Sequence, residues 1–147
     1  WMTPLRAESA KRANEHDRAV LAEITDDMLG EPDPEVHLRH LRASYEAWFV
    51  DRAFASTFPM PKTASPTGTA VLARLRREGY DWRDRVRSIA APTLVLHADG
   101  DPLPPDVGRE TAAAIPGARF TALPHSGHFP FWEAPAEFFA AISGFLA

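Results

Sequence analysis

The sequence predicts an α/β fold built on two parallel strands with their helices, preceded by a helical region. Two observations carry this. Composition changes near residue 80: residues 1–80 are rich in Arg, Glu and Ala with helical spacing of apolar positions, whereas residues 81–147 alternate strand, loop and helix. The second is the run Ala91 to Ala98, APTLVLHA, short and nearly continuously apolar, as expected of a strand covered on both faces in a parallel sheet.

Taken in order, Leu5 to Leu29 places Val20, Leu21, Ile24, Met28 and Leu29 near helical spacing, and Gly30 can end that helix. EPDP at 31–34 is a turn. A second helix is predicted from about Pro34 to Phe54, through Val36, Leu38, Leu41, Tyr45, Trp48 and Phe49. Ser56 to Gly68 holds three prolines and no period, which marks a loop. Ser65–Pro66 reads as an N-cap followed by proline at the first helical position, and Gly79 ends that third helix. From residue 81, Ala91 to Ala98 is the first strand and Asp106 to Gly117 a helix. Ala118 to Pro124 is the second strand. Ala134 to Ala147 is a closing helix with Phe138, Phe139, Ile142, Phe145 and Leu146 on its inner side. Such a βαβα unit implies parallel strands and a right-handed crossover. Two parallel strands do not make a stable sheet by themselves, so the remaining strands are expected elsewhere.

Composition narrows the function classes. The chain has 147 residues, 45% apolar and 24% charged, enough for a sizeable core. Its net charge of -4, with arginines scattered among acids, does not favour a nucleic-acid partner. The absence of cysteine rules out disulfides, thiolate metal sites and a cysteine nucleophile. No apolar run approaches the roughly 20 residues of a membrane span. No signal peptide is visible, but Trp stands first in place of Met, so a natural start and any targeting segment can lie upstream. The compartment stays open, with a cytoplasmic one preferred.

In an open parallel sheet, functional groups gather on loops at the carboxyl ends of strands. Asp99 and Asp101 follow the first strand; His125 and His128 follow the second. A carboxylate bonded to one ring nitrogen of a histidine fixes its tautomer, and the other nitrogen can then act as a general base. Gly127 is expected to let the loop turn sharply before His128.

These stretches, HADGDPLPP at 97–105 and PHSGHFPFWEAP at 124–135, resemble the C-terminal part of an α/β-hydrolase, most closely the proline iminopeptidase-like branch. There, G-x-x-D-x-x-x-P carries the triad acid and G-H-x-P-x-x-E-x-P the triad base. The resemblance implies Asp101 as acid and His128 as base. Gly127, His128, Pro130, Glu133 and Pro135 match fully, while Ala98 replaces the first glycine. The resemblance covers about residues 84–147. Residues 1–80 match in kind as a helical cap, with Asp81 to Ile89 as the return to the core at 81–147.

The family's nucleophile lies in G-x-S-x-G, and none of the seven serines sits in that pattern. The resemblance therefore implies a chain that begins after the sixth of the usual eight strands. It implies a serine hydrolase of peptide, amide or ester bonds, inactive as this chain alone. Its partner would be a front half bearing the Ser, and its substrate a small acyl compound or peptide. A dehalogenase or epoxide hydrolase with an Asp nucleophile is one alternative, and a non-catalytic binding fragment another. No cofactor is implied. Trp48, Phe49, Phe58 and Phe129 are the candidate substrate-binding residues, although packing within the cap is the preferred role for most of the aromatics. Glu133 is expected to tether its loop or cap the following helix. His37 and His40, three apart on a helix, lack an evident third ligand, so no metal site is expected.

Overall fold

A computed structural model describes residues 2–147. The first helical stretch is divided into α1 (Met2–Arg12), α2 (Glu15–Glu23) and α3 (Asp26–Gly30). The breaks have a local cause. Asn14 and Thr25 are N-caps whose side chains accept from Asp17 N and Met28 N, so each starts a new helix within the predicted one. The second stretch is likewise divided. Helix α4 (Pro34–Tyr45) continues into a 3₁₀ turn at Glu46–Trp48, and α5 (Arg52–Thr57) restarts behind the Asp51 cap. Helix α6 (Pro66–Glu78) begins and ends as predicted. Ser65 Oγ accepts from Gly68 N, and Gly79 follows the last turn at φ 67°, a conformation that favours glycine.

The helices pack as two small cores. Ala13, Leu21 and Ala43 join α1, α2 and α4. Tyr45, Phe49 and Ala55 form the second, with Phe54, Phe58, Met60 and Phe129 against it. Ile24 and Leu29 are fully buried. Arg77 Nη1 donates to Gly30 O at 2.9 Å, which holds α6 against the end of α3.

After the short helix α7 (Arg83–Val86) comes β1 (Leu94–Ala98), then α8 (Pro105–Ala114), β2 (Arg119–Leu123), the turn-long α9 (Pro130–Glu133) and α10 (Pro135–Leu146). The strands are parallel, with Leu94 opposite Arg119 and Ala98 opposite Leu123. The predicted two-sided burial of β1 is not what is observed. Leu94, Val95 and Leu96 are half-buried, and only His97 and Ala98 are buried. Helix α10 also departs from expectation: none of its residues is buried, and Phe139 and Leu146 are exposed. A two-stranded sheet is too narrow to cover a strand face and a 12-residue helix together.

Candidate active site

Backbone pairing continues past the strand ends. Asp99 N donates to Leu123 O and Gly100 N to Ser126 O, each at 3.0 Å, so the loop after β1 lies beside the loop after β2. This brings Asp101 and His128, 27 residues apart, into contact. His128 Nδ1–H donates to Asp101 Oδ2 at 3.0 Å and to Oδ1 at 3.2 Å. The Asp101 carboxylate also accepts from Leu103 N at 2.7 Å, a local turn bond that fixes the aspartate before it meets the histidine. The Asp101 side chain is 10% exposed and that of His128 33%, so the acid is largely out of water while the imidazole still reaches open space. Among the described residues nothing bonds His128 Nε2.

The loop under His128 is anchored to the helical region. His128 N donates to Trp48 O at 2.8 Å, and the two rings lie 5.1 Å apart. Glu133 accepts from Gly127 N at 2.7 Å through Oε2, and from Val50 N at 2.8 Å and Asp51 N at 3.3 Å through Oε1. One carboxylate thus ties the histidine loop to the segment between α4 and α5. Of the two roles expected of Glu133, tethering is the one the structure shows, and no short-range sequence signal could have named Val50 as its partner. At Gly127 the structure shows a close approach of another segment. Its φ is not positive; instead a Cβ there would overlap the Trp48 carbonyl oxygen. His125 is the residue with positive φ, at 57°, and it is exposed. Asp99 is exposed as well, and among the described residues its side chain makes no hydrogen bond to a histidine.

A cavity of about 460 Å³ opens from His128 between α4 and α6. Leu41, Ser44 and Trp48 line one wall and Thr69, Leu72 and Arg76 the other, both at helical spacing. Of the four candidate substrate-binding aromatics, Trp48 lies on this wall. Phe49, Phe58 and Phe129 do not; they stack on Tyr45 and one another, with Phe58 and Phe129 centroids 4.5 Å apart. Their packing makes the floor that supports His128, whose ring meets Phe129 edge-on at 5.3 Å.

His37 and His40 both line the cavity but differ in their bonding. His37 Nε2 donates to Glu31 O at 3.1 Å. His40 lines the cavity with Nε2 buried and unpaired. Burial, and secondarily the Arg76 charge, pull its pKa down to about 4, so it is neutral near pH 7. Among the described residues no cluster of three His, Asp or Glu could hold a metal, and no helix is long and apolar enough to cross a membrane.

A parallel strand pair whose carboxyl-end loops join an Asp and a His beside an apolar cavity is an arrangement of the α/β-hydrolase fold. The chain belongs to the alpha/beta hydrolase family, whose model matches residues 2–142. It is 44% identical over 62 residues to "Putative non-heme bromoperoxidase BpoC" of Mycobacterium tuberculosis, covering 42% of this chain and 24% of that protein. It is 31% identical over 87 residues to a proline iminopeptidase of Levilactobacillus brevis, covering 59% of this chain and 27% of that enzyme. Among solved structures, a thermophilic esterase from Thermogutta terrifontis superposes with a TM-score of 0.60 at 24% identity, over 90% of this chain and 48% of the esterase. That likeness concerns the fold alone. The matched regions span about a quarter of these two curated relatives, 24% and 27% of their lengths.

Proposed function

We propose that this chain supplies the acid and base of a serine hydrolase, with the nucleophilic Ser carried by an N-terminal half of the same enzyme. The observation that carries the reading is the Asp101–His128 pair, bonded through Nδ1 with Nε2 unpartnered, at the mouth of an apolar cavity. The Ser Oγ attacks an acyl carbon while His128 Nε2 takes its proton. Asp101 holds the Nδ1–H tautomer and stabilises the imidazolium. His128 then gives the proton to the leaving group, and water releases the acyl-enzyme by the same path in reverse.

Residues 1–80 act as the lid over this site and residues 81–147 as the part of the core that holds the acid and base. The half-covered β1 and the exposed aromatic face of α10 support a second half that completes the sheet. The substrate class is a peptide, amide or ester with a small apolar acyl group. The relatives' names divide between peptidase and esterase chemistry: beside the iminopeptidase, a pimeloyl-[acyl-carrier protein] methyl ester esterase of Stenotrophomonas maltophilia is 35% identical over 85 residues.

Denaturing intact-mass spectrometry after fluorophosphonate treatment of the native sample tests this. A polypeptide carrying the adduct is expected, and His128→Ala should abolish labelling while leaving the fold intact by circular dichroism. A sample containing no labelled species, only the chain at its own mass, would overturn the serine-hydrolase reading for that assembly.

A further inference from the structure

The cavity has two chemically different ends. Trp48, against the His128 ring, marks one. His40 lies eight residues earlier on the same helix-and-turn stripe, roughly 12 Å away at about 1.5 Å per residue. Between them Leu41 and Leu72 line the two walls, with the small side chains of Ser44 and Thr69 beside them. At the far end Arg76 joins His40, close enough for its charge to act on the imidazole.

That far end is short of acceptors. The cavity walls hold arginines and histidines but no carboxylate. Among the described residues, His40 Nε2 and Arg76 Nε are both buried without a hydrogen-bond partner. The nearest acid, Asp26, is itself largely exposed; it lies 3.7 Å from Arg76 Nη1 and is already engaged by Arg6. Two unsatisfied nitrogens on residues that line an apolar cavity are costly unless an acceptor meets them, and since both atoms are sealed as the side chains stand, a ligand acceptor reaches them by a small turn of each side chain. Arg76 is a guanidinium, whose planar donors match a carboxylate. His40, neutral, can donate from Nε2 to the same group.

We propose that the cavity takes an acyl substrate with a carboxylate at the end remote from the scissile bond, held by Arg76 and His40, with the intervening carbon chain between α4 and α6. The placement of the scissile bond rests on the hydrolase reading above; the carboxylate site does not. Its occupant belongs to the half-esters or half-amides of dicarboxylic acids, and a neutral acyl chain of equal length leaves both nitrogens unsatisfied.

Calorimetric titration of the protein with monomethyl suberate and with dimethyl suberate tests this without requiring turnover. The monoester should bind about tenfold tighter or better, the scale of a charge-assisted bond that the diester lacks. Arg76→Met should erase the preference, Arg76→Lys should keep part of it, and His40→Leu should weaken the monoester while leaving the diester unchanged. Equal affinities in the unsubstituted protein, no binding of the monoester, or a preference that survives Arg76→Met would each overturn the proposal. The unsubstituted comparison decides even where a variant fails to fold. Loss of fluorophosphonate labelling with the monoester preference intact removes the hydrolase reading and leaves the carboxylate site; the converse removes the site alone.

Discussion

In the helical region Ile24 and Leu29 are sealed from water and two apolar clusters hold the helices together. In the strand region the apolar run of β1 is only half covered, and α10 keeps Phe139 and Leu146 in solvent. The difference follows from how each element satisfies its backbone. A helix closes its own hydrogen bonds, so short helices can fold onto one another as soon as their apolar stripes meet. A strand must borrow partners, and a pair of strands leaves outer edges and faces that call for more sheet or for cover. The catalytic candidates lie at the seam, where Glu133 and the Trp48 carbonyl fasten one region to the other.

Breaking the sealed side should have the largest effect. Ile24→Ala, at a fully buried position, should lower stability by about 4 kcal/mol, read from the midpoint of a urea titration. Cutting the seam comes next. Glu133→Ala leaves the Gly127, Val50 and Asp51 amides without their acceptor and should cost about 2–3 kcal/mol in the same titration. It should also broaden the His128 imidazole signals in NMR spectra; an unchanged midpoint would show that the two regions are joined by other means. The smallest effect belongs to the open side. Phe139→Ser should change the stability of this chain by less than about 0.5 kcal/mol, while reducing self-association measured by light scattering. A loss as large as that of Ile24→Ala would mean that α10 is buried after all.

Much of the site was legible locally. The candidate acid and base could be named because each sits in a short motif whose neighbours have a mechanical reason to be there. Asp101 bonds the amide two residues on, Gly127 leaves room for a crossing carbonyl, and Glu133 reaches back six residues to the amide of Gly127. The helix breaks at Asn14, Thr25 and Asp51 were also written in capping residues, but no proline or glycine stands beside any of them to mark the break. Phe49, Phe58 and Phe129 were read as candidate pocket residues because aromatic side chains suit a pocket and a core equally well; only their mutual contacts separate the two roles.

The sequence by itself determined the order of helices and strands, the caps at Ser65 and Gly79, the alpha/beta hydrolase family and the residues Asp101 and His128 as its acid and base candidates. Only the tertiary structure decided that His40 and Arg76, 36 positions apart, line the same cavity, that Val50 receives Glu133, and which aromatics line the cavity. The physical reason is one of range. Capping, periodicity and turn chemistry act within a few residues and leave a readable pattern. Burial and the loss of a hydrogen-bond partner depend on what the rest of the chain brings alongside, and a histidine on an amphipathic helix looks the same in sequence whether it faces water or a closed cavity.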